Sequence, residues 1–327
     1  MTTSSCVVVG AGISGLLAAR ELTAAGWRVV VLDKGRRVGG RMATRRVGDG
    51  TFDHGAQFFT VRGERFQRLV SGWLEGGVVE EWSHGFADAE GEHNEDGHPR
   101  YRGAKGMNSV PRYLACGLDV RAGERVAEVK LRDEIWEART EAGSRVAGAA
   151  LLLTAPVPQS LAVLDDVLPE EAGRRLREMS YSPCLTLMVL LDGPTGVPEP
   201  GGVQIKGEPL DWIGDNQRKG VSRSPAITIH AGPEWSRANF DADEAQLTAS
   251  LLAFAGEQLR TDLPSRVVET SLARWRYSWV TRPHPEPCLV ARDDPPLLFA
   301  GDAFGSSKVE GAALSGLAAA DHLLGGP

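Results

Sequence analysis

Cys6-Val7-Val8-Val9-Gly10-Ala11-Gly12-Ile13-Ser14-Gly15 is an apolar run that ends in G-x-G-x-x-G. The four apolar residues suit a buried parallel strand. Ile13 to Ala25 then has helical spacing, with Leu16, Leu17, Ala18, Leu22 and Ala25 on its apolar face. Gly26 stops the helix, and Arg28-Val29-Val30-Val31-Leu32-Asp33 is a second buried strand that ends in an acid. Each part has a task in dinucleotide binding. Gly10 permits a tight turn, Gly12 lets backbone approach a pyrophosphate, and Gly15 lets helix and strand pack closely. The N–H groups of Ile13 and Ser14 open the helix toward an anion. Asp33 stands where a carboxylate accepts hydrogen bonds from a ribose diol.

A length of 327 residues accommodates two units. The net charge of −7 gives no reason to expect a nucleic-acid partner, so an anionic ligand must be met by local Arg and Lys. No run reaches the roughly 18 apolar residues of a membrane span. The N-terminal apolar run belongs to the nucleotide motif and does not read as a signal peptide. Cys6, Cys116, Cys184 and Cys288 are widely spaced and form no C-x-x-C, which fits reduced thiols and a cytoplasmic protein.

After Asp33, Lys34-Gly35-Arg36-Arg37-Val38-Gly39-Gly40-Arg41-Met42 suits a loop folded around phosphate, with Arg41 as counter-ion. Thr51 to Thr60 contains Gly55 and Ala56, small enough for a flat ring to approach the backbone. Glu64 to Glu75 reads as a helix, and residues 83–104 as an irregular surface excursion. His84, His93 and His98 in that excursion match no ligand template, so no metal is expected. Further strands are expected at Arg125–Leu131, Ala149–Pro156, Leu185–Leu191, Leu210–Ile213, Ala226–His230, Val267–Trp279 and Pro296–Ala300. A long helix at Asp241–Leu259 has Asp241 or Asp243 as its cap. The last strand runs into Gly301-Asp302, and Val309-Glu310-Gly311-Ala312 opens a final small-residue helix whose start can meet an anion.

Together, G-x-G-x-x-G, the terminal Asp33, Gly39-Gly40-Arg41-Met42 and Asp53-His54-Gly55-Ala56-Gln57-Phe58-Phe59 resemble the renalase family, among the flavin amine oxidase-like proteins. Leu210 to Lys219 and Trp275-Arg276-Tyr277-Ser278 also resemble renalase segments, although animal members carry His at the position of Tyr277. The resemblance spans residues 7 to 316. It implies an α/β fold: a discontinuous Rossmann-type FAD-binding domain and a smaller sheet-based α+β substrate domain, as in p-hydroxybenzoate hydroxylase and the amine oxidases. The expected division is 1–62, 104–165 and 281–327 for the first, and 63–103 and 166–280 for the second.

By the same resemblance, Lys34, Gly40, Arg41 and Met42 lie along the pyrophosphate side of FAD, and Gly55, Ala56, Gln57 and Phe58 beside the isoalloxazine. Val126 contacts adenine, and Thr154 to Pro156 closes the nucleotide domain. Gly301 and Asp302 meet ribityl or phosphate-side hydroxyls, and Val309, Glu310, Gly311 and Ala312 the pyrimidine. No Cys lies near 302–312, so the flavin is expected to be non-covalent. Renalases oxidise 2- and 6-dihydro isomers of NAD(P) and pass the electrons to O2, giving H2O2. The implied substrate is thus a dihydronicotinamide dinucleotide. Substrate-side candidates are Trp275, Arg276, Tyr277, Trp212, Asn216 and His230. Alternatives are an amine oxidase, for which Lys105 and Lys308 are the lysines inside motifs, and a non-oxidase FAD protein of a biosynthetic pathway.

Overall fold

The computed structural model describes residues 4–164 and 167–326; the expected boundary at residue 165 lies outside them. The chain begins with strand β1 (Ser5–Val9), helix α1 (Ile13–Ala24) and strand β2 (Arg28–Asp33). Strands β3 (Thr44–Val47) and β4 (Gly50–Asp53) and helix α2 (Glu64–Glu75) follow. Strands β5 (Val79–Ala87) and β6 (His93–Gly103) lead to helix α3 (Ser109–Ala115) and strand β7 (Asp119–Ala122). Then come strands β8 (Val126–Arg132), β9 (Ile135–Thr140), β10 (Arg145–Gly148) and β11 (Ala150–Leu153), with helices α4 (Val157–Leu161) and α5 (Glu170–Arg177). Strands β12 (Ser180–Leu191), β13 (Gly202–Gln204), β14 (Leu210–Asp215) and β15 (Ala226–Ala231) precede helices α6 (Pro233–Ala238) and α7 (Glu244–Leu259). The chain closes with strands β16 (Val267–Arg282), β17 (Leu289–Asp293) and β18 (Pro296–Phe299) and helix α8 (Val309–Leu323).

The first sheet has the order β17-β18-β11-β1-β2-β7, parallel except for β17. Strand β18, from the end of the sequence, pairs with β11 and completes it, as expected for a discontinuous unit. Successive β1 residues point to opposite faces, and each face has its own core. Val8 packs with Leu16, Val110 and Leu317 from α1, α3 and α8. Val7 packs with Trp136, Ala138 and Leu176, under the small sheet β10-β9-β8 and α5. Gly316 lets α8 lie directly on α1, since a Cβ there would stand 2.1 Å from the Ser14 carbonyl oxygen.

The second sheet, in the order β16-β12-β15-β14-β13-β5-β6, is antiparallel apart from β13–β5. One face carries Leu185, Leu187, Val189, Ile213, Ile227 and Ile229 and buries them under Leu247 and Leu251 of α7. Asp243 caps that helix by accepting the N–H groups of Ala245 and Gln246. The other face turns toward the first unit, where Met188 and Leu190 meet Val47 and Phe52.

Two expectations are corrected by this packing. Residues 83–104 are not an irregular excursion: β5 and β6 form a hairpin that joins the edge of the second sheet. Their run of His, Asp, Glu and Gly hid the strand period because both faces of the hairpin tip are polar. Helix α2, expected with the second unit, packs Phe66, Val70 and Trp73 into the core shared with α1 and α8. Its Arg65 pairs with Asp321 of α8. Helix α5 likewise seats Ala172 and Leu176 against the first sheet. No helix of the described residues is long and apolar enough to cross a membrane.

Candidate active site

The cofactor side is built mainly from backbone. Gly10, at φ +116°, turns the chain out of β1 in a conformation that L side chains rarely adopt. Thr154, at the end of β11, locks this turn by donating from Oγ1 to the carbonyls of Val9 and Gly10, both at 3.1 Å. A Cβ on Gly15 would lie 2.1 Å from the Gly10 oxygen, whereas one on Gly12 would meet nothing within 4 Å. The turn is therefore closed on the helix side and open at Gly12, where α1 begins without a side-chain cap. Ser14 Oγ, buried in the first turn of that helix, has no hydrogen-bond partner among the described residues. Ile13 is buried beside it.

Asp33 reaches back across this turn. Its Oδ2 accepts the Ala11 N–H and its Oδ1 the Gly35 N–H, each at 2.6 Å. Burial pushes the Asp33 carboxyl above the ordinary carboxylate range, against the pull of these two bonds and of Lys34. The Lys34 ammonium itself is held by Gln159 at 2.7 Å. Gly39 (φ +126°) and Gly40 (φ +54°) form the next turn, tied to the first by the Gly39 N–H on the Ala11 carbonyl. Met42 is buried below it.

Arg41 forms a bidentate pair with Asp302, at 2.5 and 2.6 Å, and also donates to the Tyr277 carbonyl. The loop after β2, the end of β18 and the strand β16 thus meet at one guanidinium. Tyr181 stands at this junction: its hydroxyl accepts the Val157 N–H, and its ring meets Tyr277 edge-on at 5.5 Å. Burial and the Asp302 charge push its phenol up to about 12. Gly301 (φ +128°) turns the chain into Asp302, its N–H held by Ser315. Helix α8 starts at Val309 without a side-chain cap. The Glu310 carboxylate is committed elsewhere, accepting the N–H groups of Arg62 and Gly63 at the start of α2. Only the backbone of Glu310-Gly311-Ala312 remains for the role expected of it. Pro156 occupies the N-cap position of α4 without a side-chain bond, and Val126 is buried in the second core cluster.

The segment His54–Phe58 connects this backbone cradle to a face of side chains. Ala56 N–H bonds the Arg41 carbonyl, and a Cβ on Gly55 would stand 2.1 Å from that same oxygen. His54 stacks on Trp275, with ring centroids 5.1 Å apart, while Trp275 Nε1 donates to the His54 carbonyl. Gln57 Nε2 donates to the carbonyls of Asp53 and Gly55 and lies 3.4 Å from His230 Nε2. Phe58 sits among Trp82, Phe86 and Trp212, with centroid separations in the group from 4.7 to 6.4 Å. Gly202 and Gly214 are cross-strand partners and form a floor under the Trp212 indole: a Cβ on either would lie 2.5 or 2.7 Å from it.

The two imidazoles of this face are uncharged. Burial pushes His54 down to about 4 and His230 to about 3, so both imidazoles are neutral near pH 7. The nearby charges of Arg45 on His54 and of Lys219 on His230 act in the same direction, while Asp53 opposes the shift at His54. His54 Nδ1, Gln57 Oε1 and Trp212 Nε1 are buried polar atoms without a hydrogen-bond partner among the described residues. Native interiors leave few such atoms unpaired, so their clustering on one face points to a ligand of mixed polar and flat aromatic character.

The substrate-side candidates do not all meet here. Trp212, His230, Trp275 and Tyr277 face the first unit. Arg276 does not, because residues alternate along β16. Its guanidinium lies 4.3 Å from the Phe240 ring centroid and 3.5 Å from Asp241, largely exposed. Asn216 is fully buried and spends its amide on Asp53 N–H, Thr228 and the Ala226 carbonyl, so it ties strands together. Lys105 and Lys308 are exposed. Trp82, Phe86, Tyr181 and Lys219 are the neighbours that sequence reading missed. No group of three potential metal ligands occurs among the described residues.

A family profile described as flavin-containing amine oxidoreductase matches residues 61–324, and an NAD(P)-binding Rossmann-like profile matches 8–73. Renalase of Mus musculus is 28% identical over 342 aligned residues, covering 96% of this chain and 97% of that protein. An L-amino acid dehydrogenase of Synechocystis sp. is 37% identical over 67 residues, 20% of this chain and 14% of that one. Putrescine oxidase, in a structure with bound putrescine, superimposes with a TM-score of 0.75 at 16% identity, covering 99% of both chains, a likeness of fold. The open turn at Gly12, the two uncapped helix starts and the unpartnered Ser14 hydroxyl suit the phosphates and flavin of FAD. The chain belongs to the flavin-containing amine oxidoreductase family and is renalase-like within it, an FAD-dependent oxidoreductase.

Proposed function

We propose that the protein oxidises 2- and 6-dihydro isomers of NAD(P) to NAD(P)+ and delivers the electrons to O2, giving H2O2. The observation that carries this reading is the uncharged, aromatic face formed by Trp82, Phe86, Trp212, Trp275 and the neutral His54 and His230. Bound FAD supplies a two-electron acceptor and a route from that acceptor to O2. The chain's own residues hold and orient. Gly10, Gly12, Ile13, Ser14 and the Gly39–Met42 turn would hold the phosphates, Asp33 the ribose, and the α8 start the pyrimidine edge. Arg41 and Asp302 would sit at the pyrophosphate and ribityl side.

A dihydropyridine that loses hydride becomes an aromatic cation, so no base is required at the reacting carbon. The face matches that requirement: its imidazoles are neutral and its carboxylate, Asp53, is paired with Lys219. The aromatic walls exclude water and offer stacking surface to a flat ring. Trp212 Nε1 and Gln57 Oε1 are a donor and an acceptor of the kind that a primary carboxamide needs. The chain's similarity to renalase over nearly its full length supports the same substrate class.

The second reading, oxidation of an amine, has in its favour the family profile and the cation affinity of indole faces. Anaerobic mixing of the yellow protein with 6-dihydroNAD, 2-dihydroNAD, NADH and an amine panel separates the two. The expected result is rapid bleaching of the flavin by the dihydro isomers and not by NADH. Bleaching by amines alone would give the second reading first place. H2O2 formed on re-admission of air distinguishes an oxidase from a dehydrogenase. All four cysteines are free, which supports a reducing, cytoplasmic location.

A further inference from the structure

We propose that the buried Lys219–Asp53 pair is a positioning element of the donor site, clamping the His54–Gln57 segment of the first unit to the Trp82 wall of the second. The proposal rests on the reading of that face as the place where the donor is oxidised. Lys219 and Asp53 are 1% and 0% exposed, and Nζ lies 2.6 Å from Asp53 Oδ2. Residues 166 apart in sequence, on different units, are joined by this bond.

Asp53 is the hub of the joint. Its second carboxylate oxygen accepts Thr44 Oγ1 at 2.5 Å and the Met107 N–H at 2.8 Å. Its N–H goes to Asn216, and its carbonyl accepts Gln57 Nε2 and Thr228 Oγ1. The next residues are His54 to Gln57, which carry the cofactor-side wall. Lys219 reaches the other wall: its ammonium lies 5.0 Å from the Trp82 ring centroid. Trp82 is in turn pinned by its Nε1 donating to the Pro200 carbonyl. One ammonium therefore sets the distance between a strand of the first unit and the aromatic wall opposite.

A structural brace and a positioning element differ in what survives neutralisation. A buried ion pair replaced on both sides by neutral groups commonly keeps its fold, whereas removal of one partner strands a charge. Lys219→Met alone is expected to lower Tm, on the order of 10 °C. In Asp53→Asn/Lys219→Met, Tm returns close to wild type and FAD affinity is retained. The turnover number with 6-dihydroNAD nevertheless falls about tenfold or more, because the wall loses its ring-face contact and small misplacements are costly to rate. The near-UV circular dichroism of the tryptophans changes with it.

Trp82→Leu removes the same contact without touching a buried charge, and is expected to show the same loss of turnover at unchanged FAD affinity. Wild-type turnover in the double variant or in Trp82→Leu overturns the proposal. So does an unchanged tryptophan spectrum in the double variant, whichever donor proves correct. Trp212→Ala serves as the control on the site itself. If it leaves kcat and KM unchanged for every donor that bleaches the flavin, the reading of the face is wrong. If Trp212→Ala impairs the protein and the double variant does not, only the positioning role falls.

Discussion

The cradle around Gly10–Asp33 and the face around Trp212 lie against each other but are made of different material. The cradle is contiguous in sequence and works through backbone: glycines at positive φ, free N–H groups and one returning carboxylate. The face is assembled from β4, β5, β14, β15 and β16 and works through side chains. A cofactor shared by many enzymes can be held by a motif that tolerates little change, while the donor is chosen by parts contributed from many strands. Substitutions should therefore separate cofactor binding from donor use according to which material they touch.

The largest effect is expected at Gly15. A Cβ there meets the Gly10 oxygen at 2.1 Å and Thr154 Oγ1 at 2.8 Å, with backbone on one side. Gly15→Val should give protein without flavin, read from the ratio of visible to ultraviolet absorbance. Asp33→Ala comes next: two backbone N–H groups lose their acceptor, at about 1–3 kcal/mol each. FAD affinity should fall on the order of 10- to 100-fold by fluorescence titration, without loss of the second sheet's stability. Trp212→Ala is expected to reverse this pattern, leaving FAD affinity intact and raising KM for the donor about tenfold. A parallel loss of FAD affinity would show that cradle and face are not separable.

The two histidines give a pH test. Both have folded values depressed from 6.5, to about 4 for His54 and about 3 for His230, so protonation favours the unfolded chain. Their contribution is fully present above about pH 6.5 and is lost as pH falls toward those values. His230→Gln should flatten the decline of Tm between pH 6.5 and 4 relative to wild type. Each histidine contributes at most about 1.4 kcal/mol per pH unit. The smallest effect is expected for Arg276→Ala: kcat/KM unchanged within about twofold, with at most about 1 kcal/mol lost from its contact with Phe240. A tenfold loss of donor use would return Arg276 to the site.

Legibility in the sequence follows the same division. The βαβ start, the Gly40–Met42 turn, the Gly301–Asp302 corner and α8 were readable because their chemistry is local. Trp212 and Trp275 stand in segments that carry the family likeness, whereas His230 stands only at the end of an expected strand. Arg276 lies on the other face of the sheet because residues alternate along a strand, and neighbours such as Trp275 and Tyr277 conceal which parity points inward. Lys219 stands in the Leu210–Lys219 segment that resembles the family, but nothing in Asp215-Asn216-Gln217-Arg218-Lys219 marks it as buried. Its burial becomes apparent only once Asp53 is placed beside it. The β5–β6 hairpin escaped detection because the polar tip lacks the alternation that its buried base, with Val79 and Tyr101, retains.

The return of β18 and α8 to the first sheet has a consequence for how the protein matures. Both follow the whole second sheet in the order of translation, yet Gly316 of α8 rests against Ser14 in the first turn of α1, and β18 pairs with β11. A ribosome-bound nascent chain that displays the complete Gly10–Asp33 motif therefore still lacks one wall of its cofactor pocket. A flavin held by both the Gly10–Asp33 turn and the start of α8 would therefore favour the state in which β18 and α8 are docked on the first sheet.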